Sequence, residues 1–230
     1  MSFAVEQGEV LAVIGPNGAG KTTLFDVITA MTPATRGSIQ FDGREIAGAR
    51  SHAIAQAGMA RTFQNLRVFT HMSVVENVAV GSVGRHTAGR WPRTLARLLS
   101  SRSGPMRGDA RQLLVQVGLG HRLKSDADQL PYAELRRLEI ARALATQPSL
   151  LILDEPVAGM SHHEAAEVGS LVREIQNSGV TVILIEHNMQ FVSSTADRVI
   201  VLDKGALIAT GTPQEIYDNP QVLEAYVGVL

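Results

Sequence analysis

The feature that most constrains the fold is a glycine-rich segment, Gly15–Thr23, that separates two apolar runs. The run before it, Val10–Ile14, predicts a buried parallel strand, and the run after it, Leu24–Met31, predicts a helix. Between a strand and a helix, G-x-x-x-x-G-K-T is typical of a phosphate-binding loop, because glycines let consecutive N–H groups converge on an anion. The helix N-terminus adds partial positive charge. We expect Lys21 to bind the β- and γ-phosphates and the Thr22 hydroxyl to bind Mg²⁺. The predicted phosphate-binding residues are Gly15, Pro16, Asn17, Gly18, Ala19, Gly20, Lys21, Thr22 and Thr23.

Composition excludes several other kinds of protein. The chain has 230 residues, 45% of them hydrophobic, which is typical of a globular protein with one good core and a subdomain. Its net charge of −1 argues against nucleic-acid binding driven by bulk charge, so no nucleic-acid partner is expected. Without cysteine there are no disulfides, zinc–thiolate sites or cysteine nucleophiles. No signal peptide and no membrane-spanning apolar run is found, which predicts a protein facing the cytosol.

Two acidic residues, Asp154 and Glu155, directly follow the apolar run Leu150–Leu153. In open α/β sheets, ligands bind at the carboxyl ends of the strands, which is also where the phosphate loop lies. We therefore predict that Asp154 binds the Mg²⁺ contacted by Thr22, and that Glu155 is a general base or positions the attacking water. The alternative is a solvated acidic pair at a strand end.

A second apolar run, Val180–Ile185, ends in the same way, with His187 two residues beyond it. The gap between the two runs leaves room for one crossover helix, Glu164–Gln176, so the strands can be parallel neighbours. His187 is then a candidate donor to the γ-phosphate oxygens. The alternative is a solvated histidine.

The remaining pattern predicts an α/β core split by a helical insert. Gly81–Gly108 has no acidic residue and six arginines, which indicates either a solvated loop with a short helix at Thr94–Leu99 or a basic face toward anionic lipid or a membrane partner. The other predicted strands are Phe3–Val5, Ser38–Phe41 and Met59–Phe63, together with a hairpin of Arg198–Leu202 and Ala206–Ala209. Helices are predicted at Asp109–Val117, at Ala133–Ala145, after capping boxes at Ser73 and Thr212, and from Asn219 to Val227.

Several segments together resemble the ATPase subunits of ABC transporters, over nearly the whole chain. The segments that carry the resemblance are Gly15–Thr23, Gln64, Leu151–Pro156 and His187. A further set resembles the subfamily that powers branched-chain amino acid importers: Arg61–Phe69, Ser73–Val78, Arg136–Leu144, Ala158–Met160 and Glu224–Gly228.

The resemblance implies a P-loop NTPase core of the ABC ATPase type, formed by residues 1–64 and 148–230, with a helical subdomain at 65–147 in a single ABC ATPase domain. It also implies a head-to-tail dimer, homomeric or heteromeric, with ATP at the interface. The partners would be transmembrane permease subunits and, indirectly, a substrate-binding protein, at the cytoplasmic side of the membrane. Gln64 would contact Mg²⁺ or the attacking water and report the nucleotide state to the permease. Without the resemblance, the residues favour interpreting Gln64 as a solvated residue at a strand end.

The chain departs from the subfamily sequence in the signature loop, residues Leu130–Glu134. This loop reads Leu-x-Tyr-Gly-Gln in the subfamily and Leu-Pro-Tyr-Ala-Glu here. The resemblance implies that Tyr132, Ala133 and Glu134 contact the γ-phosphate bound to the other subunit. Pro131 has no N–H to donate, Ala133 adds a Cβ, and Glu134 brings negative charge toward an anion. We therefore expect a normal fold with a weakened phosphate contact and slow hydrolysis, which Ala133→Gly with Glu134→Gln should accelerate.

Other departures concern the N-terminus and one loop. Family members have an earlier strand whose aromatic residue stacks on adenine, and this chain begins after it, as if truncated or given a misassigned start. Base stacking of ~1–3 kcal/mol predicts an ATP affinity about 10–100-fold weaker. Phe3 is expected to be a residue of a core strand. Ser161 stands where many members have Asp, and with Glu164 it predicts a capping box.

Three hypotheses follow. The first is an ATPase that powers import of branched-chain amino acids or a related small polar solute. The second is a regulatory or degenerate subunit that binds nucleotide but barely hydrolyses it. The third, a soluble ABC-type ATPase of translation or DNA repair, is expected to have tandem domains, long coiled coils or a basic face, which this sequence does not contain. The transported molecule is not encoded here, because the pore and receptor would be separate chains.

Overall fold

A six-stranded sheet organises the chain. The structure is a computed structural model and describes residues 1–83 and 105–227. The strands of this sheet are β1 (Val10–Ile14), β4 (Met59–Arg61), β5 (Leu150–Asp154), β6 (Thr181–Ile185), β7 (Arg198–Asp203) and β8 (Ala206–Gly211). Their order is β4-β5-β6-β1-β7-β8, and every neighbouring pair is parallel except the hairpin β7–β8. The carboxyl ends of β1, β4, β5 and β6 therefore meet at one edge.

Helices cover the sheet, and three of those described begin at capping boxes that the sequence predicts. They are α1 (Lys21–Ile28), α2 (Ser51–Gln56), α3 (Val74–Gly81), α4 (Pro105–Gln116), α5 (Tyr132–Leu144), α6 (His162–Asn177), α7 (Met189–Thr195), α8 (Pro213–Tyr217) and α9 (Pro220–Val227). Short 3₁₀ turns occur at Gly120–Arg122 and Ala127–Gln129. Predicted capping boxes at Ser73, Ser161 and Thr212 are all present, so these side chains satisfy backbone N–H groups that a helix start leaves free.

The central strand explains why the first apolar run has no polar interruption. All five residues of β1 are fully buried, and they alternate between the two faces of the sheet. Val10, Ala12 and Ile14 join one apolar cluster, which also contains residues of α3 to α6. Leu11 and Val13 join the cluster on the opposite face.

A small antiparallel pair, β2 (Gln40–Phe41) and β3 (Arg44–Glu45), lies outside the main sheet. The turn between them consists of Asp42 and Gly43, which have φ of 50° and 71°, the left-handed values of a type I′ hairpin. The strand is shorter than the predicted Ser38–Phe41.

The prediction of a strand at Phe3–Val5 is wrong. This segment has no ladder, and the Ala4 carbonyl instead accepts a hydrogen bond from Arg198 at 2.7 Å. Phe3 is half-buried and packs against the cluster around Leu11 and Val13, so its core contact is made without a strand.

Other predictions stay open. The arginine-rich stretch and the helix at Thr94–Leu99 fall largely or wholly outside the described residues. The division into a core and a helical subdomain at 65–147 stays a prediction, because one apolar cluster continues from the sheet through α3, α4 and α5. Among the described residues, no helix has both the length and the apolar character needed to cross a bilayer.

Candidate nucleotide-binding site

The phosphate loop passes so close to the neighbouring strand that only glycine fits at its start. Gly15 has φ of 152°, and a Cβ built on it would lie 2.1 Å from the Leu202 carbonyl oxygen of β7. Gly18 also has positive φ, at 80°, but a Cβ there would meet nothing within 4 Å. The glycines therefore serve two different purposes, close approach at Gly15 and left-handed backbone at Gly18.

Lys21, the first residue of α1, folds back over the loop that precedes it. Its ammonium group donates to the carbonyl oxygens of Gly15 at 2.6 Å and Pro16 at 3.1 Å. Burial lowers the pKa of Lys21, and the charges of Glu155 and Asp154 oppose this shift. The two carboxylates thus act electrostatically on Lys21 at the carboxyl edge of the sheet. Thr22 and Thr23 follow on the exposed start of α1.

Asp154 ends β5 almost entirely buried. Its carboxylate accepts a hydrogen bond from Arg61 at 2.9 Å, and its N–H donates to the Thr62 hydroxyl at 3.2 Å. The same guanidinium reaches Asp26 of α1 at 2.7 Å. Arg61 thereby links the carboxylate at the end of β5 to the helix that follows the phosphate loop. Sequence reasoning missed this role, because the adjacency of β4 and β5 is a property of the strand order.

Glu155 lies at the centre of the predicted catalytic residues. The Gln64 carboxamide donates to one oxygen of its carboxylate at 3.0 Å, and His187 Nδ1 lies 3.4 Å from the other. Glu155 has φ of 48°, a left-handed value that a non-glycine residue rarely adopts, while its N–H donates to the Ile185 carbonyl at 2.9 Å. Gln64, Glu155 and His187 therefore come together in the folded chain.

A buried acid supports the position of His187. Glu186 is 1% exposed, and its carboxylate accepts from the N–H groups of Val157, His187 and Asn188 at 3.4, 3.1 and 3.3 Å. Burial raises the pKa of Glu186, and these three donors oppose the shift. One sequence signal, an acid directly after an apolar run, points to such a residue, but the same pattern also describes Asp154.

The signature loop contacts other parts of the chain. Glu134, in the first turn of α5, pairs with Arg122 at 2.8 Å and lies 3.1 Å from His121 Nε2. Its negative charge, expected to weaken phosphate binding, is thus compensated within the chain. Pro131 precedes the helix without a capping hydrogen bond, and Tyr132 is 45% exposed, with its hydroxyl accepting from Arg136 at 3.3 Å.

Comparison with known families decides the assignment. A sequence model described as ABC transporter matches residues 1–158, well over half of the chain. The chain belongs to the ABC transporter family. A second family model, described as branched-chain amino acid ATP-binding cassette transporter, matches residues 206–229, the part that forms β8, α8 and α9.

Relatives of this ABC ATPase match over almost its whole length. The high-affinity branched-chain amino acid transport ATP-binding protein BraF of Pseudomonas aeruginosa is 41% identical over 231 residues, covering 99% of this chain and 90% of the relative. The corresponding LivG protein of Salmonella typhimurium is 39% identical, with coverage of 99% and 90%.

Solved structures agree with the fold. The ADP conformation of an ATP-binding cassette of an ABC transporter superposes with a TM-score of 0.84 at 31% identity, covering 99% of this chain and 91% of that one. A nucleotide-free cassette gives a TM-score of 0.82 at 30% identity, covering 97% and 90%. The predicted ABC-type α/β fold and the family resemblance are confirmed, and nothing in these comparisons favours a hydrolysis-impaired subunit.

Proposed function

We propose that this ABC ATPase binds ATP with Mg²⁺ at Gly15–Thr23 and hydrolyses it to drive import through a membrane permease. The observation that carries the proposal is that Gln64 and His187 both contact the Glu155 carboxylate, whose charge also acts on Lys21. The transported solute is a branched-chain amino acid or a related small polar molecule, since the relatives named above are branched-chain amino acid transport proteins.

The residues present fit a magnesium–nucleotide complex. Among residues 1–83 and 105–227, no group of three or more histidine, aspartate or glutamate side chains could hold a metal alone. Mg²⁺ in nucleotide sites is bound through one or two carboxylates together with phosphate and water oxygens, so the Asp154 carboxylate with Thr22 and Gln64 would be sufficient. When bound, the ion neutralises charge on the β- and γ-phosphates.

Each polar residue at the edge has one proposed task. Lys21 and the N–H groups of the loop bind the phosphates, and the Gly15 approach to β7 fixes the loop for them. Glu155 accepts a proton from the attacking water or orients that water. Gln64 and His187 hold the Glu155 carboxylate from both oxygens and donate toward the reacting phosphate.

The proposed partners are a second ATPase subunit and the permease. The exposed Tyr132, with Ala133 and Glu134, would contact the nucleotide of the second subunit through the start of α5. A groove of about 650 Å³ beside the Gln64 loop, lined by Phe63, Phe69 and residues of α2 and α5, is the proposed permease site. Such a permease and its substrate-binding protein would place this subunit at the cytoplasmic side of the membrane.

The proposal is tested with Glu155→Gln and Lys21→Ala in the chain reconstituted with candidate permease subunits. Glu155→Gln should retain ATP binding and lower hydrolysis by about 10²–10⁴-fold, the usual contribution of a general base. Lys21→Ala should instead weaken ATP binding itself. Unchanged hydrolysis in Glu155→Gln, at equal protein and permease concentration, would refute the assignment of Glu155.

A further inference from the structure

We propose that Arg136 is a positioning residue that ties Gln64 to helix α5, so that the place of the signature loop and the place of Gln64 against Glu155 are coupled. This inference rests on the proposed function, in which Gln64 and Glu155 act on hydrolysis. Arg136 itself makes none of the contacts to Glu155 described above.

The contacts of the Arg136 guanidinium connect α5 to the backbone around Gln64. Only 2% of Arg136 is exposed, although it is among the largest side chains in the molecule. One terminal nitrogen donates to the Phe63 carbonyl at 2.6 Å and to Glu139 at 3.1 Å. The other donates to the Gln64 carbonyl and to the Tyr132 hydroxyl, the latter at 3.3 Å. A planar guanidinium is suited to this, because its donors diverge in a fixed fork.

Glu139 binds the same segment, the backbone around Gln64, at another atom. It is one turn along α5 from Arg136, and its second oxygen accepts from the Arg67 N–H at 3.4 Å. Burial raises the pKa of Glu139, and Arg136 opposes this shift most strongly. The backbone from Phe63 to Arg67 is therefore held to α5 at three atoms, so a displacement of α5 displaces that segment.

Gln64 connects a displacement of α5 to the proposed site of hydrolysis. Its carbonyl is bound by Arg136, and its side-chain nitrogen is 3.0 Å from Glu155. At the other end, Tyr132 is the first residue of α5 and part of the signature loop. Arg136 thus contacts both a residue proposed to meet the second subunit's nucleotide and a residue that orients Glu155 within its own subunit.

The alternative is a buried ion pair that only joins two parts of the fold. Replacing such a pair by apolar residues of similar size is often neutral or stabilising. The variant Arg136→Met/Glu139→Met removes both charges together and so separates folding from positioning. The control is Arg198→Met/Glu9→Met, which removes a partly exposed ion pair of 2.7 Å between β7 and the segment before β1.

The experiment is a double-mutant cycle with Gln64→Ala, read as hydrolysis by the full chain with its permease. Arg136→Met/Glu139→Met should keep its ATP affinity and lower the rate by up to about 100-fold, the cost of misplacing a catalytic group by about 1 Å. Gln64→Ala should lower the rate of the unaltered chain, yet change the Met/Met background less than about 2-fold, because coupled residues are not additive. In the Arg198/Glu9 background Gln64→Ala should keep its full effect.

Additive losses, a full rate in the Met/Met variant, or no effect of Gln64→Ala in the unaltered chain would each overturn the inference. If the Met/Met chain fails to fold, as judged by urea unfolding, Arg136→Lys takes its place. A single ammonium cannot reproduce the fork, so the same non-additivity is expected. The proposed function fails separately, through Glu155→Gln retaining hydrolysis.

Discussion

Alanine substitutions at Gly15 and Gly18 distinguish close approach from backbone strain within one loop. Both glycines have positive φ, a region that costs an alanine about 1–2 kcal/mol. Part of this is offset, because alanine lowers the conformational entropy of the unfolded chain by about 0.4–1 kcal/mol. For Gly18→Ala we therefore expect a loss of about 1 kcal/mol in the free energy of unfolding, since its Cβ meets nothing within 4 Å.

Gly15→Ala adds a clash to the same strain. Its Cβ would lie 2.1 Å from the Leu202 carbonyl oxygen, where ordinary contacts between carbon and oxygen are about 3.3 Å or more. The obstacle is backbone in the sheet, so the loop must move by about 1 Å, and overpacking of this kind costs about 1–3 kcal/mol. The expected total loss is about 2–4 kcal/mol.

The assay is urea unfolding followed by far-ultraviolet circular dichroism, without nucleotide, so that ligand binding does not alter the apparent stability. Nucleotide titration of the folded variants then gives a second reading, in which Gly15→Ala should bind ATP much more weakly than Gly18→Ala. Equal unfolding midpoints and equal ATP affinities for the two variants would show that the approach of the loop to β7 is unimportant.

Three further predictions concern α3 and α5. Ser73→Ala removes a capping box and should cost about 0.5–2 kcal/mol of unfolding free energy at neutral pH. Hydrogen bonds from Ser73 lower the pKa of Glu76, so the part of this contribution that comes from the Glu76 carboxylate should be full above the ordinary glutamate pKa of 4.5 and vanish as the pH falls through the lowered value. The bond from the Glu76 N–H to the Ser73 hydroxyl should persist at low pH, and urea midpoints across pH will check both parts. Gly81→Ala places a Cβ 2.3 Å from a carbonyl oxygen of α5 and should lower the thermal midpoint by several degrees, whereas Gly108→Ala, with open space around it, should not. Glu134→Gln should leave Arg122 without its carboxylate and raise ATPase activity with the permease; a rate unchanged from the unaltered chain would show that the signature loop tolerates the acid.

Much of the site was predictable, because many of its residues are neighbours in the sequence. The strand, loop and helix around Gly15–Thr23 follow from one apolar run, three glycines and a lysine, and local sequence alone fixes their order. The capping boxes at Ser73 and Thr212 were predictable for the same reason, since each satisfies its helix within three residues. The strand predicted at Phe3–Val5 is wrong, because a short apolar segment can pack on a core without joining a sheet.

The residues that connect the site were not predictable, since their partners are distant in sequence. Arg61 meets Asp154 only because β4 lies beside β5, and Arg136 meets Gln64 only because α5 packs against the segment after β4. Glu186 looks like Asp154 in sequence, an acid directly after a buried strand, yet one binds three backbone N–H groups and the other an arginine.

The sequence by itself determined the strand, glycine-rich loop and helix around Lys21, the carboxylates at the end of β5 and the family to which the chain belongs, because each is encoded by neighbouring residues whose spacing limits the backbone. Only the tertiary structure decided that Gln64 and His187 meet on Glu155, and that Glu134 is neutralised by Arg122. Those contacts depend on strand order and helix packing, which are set by burial of apolar surface over the whole molecule and not by any single segment.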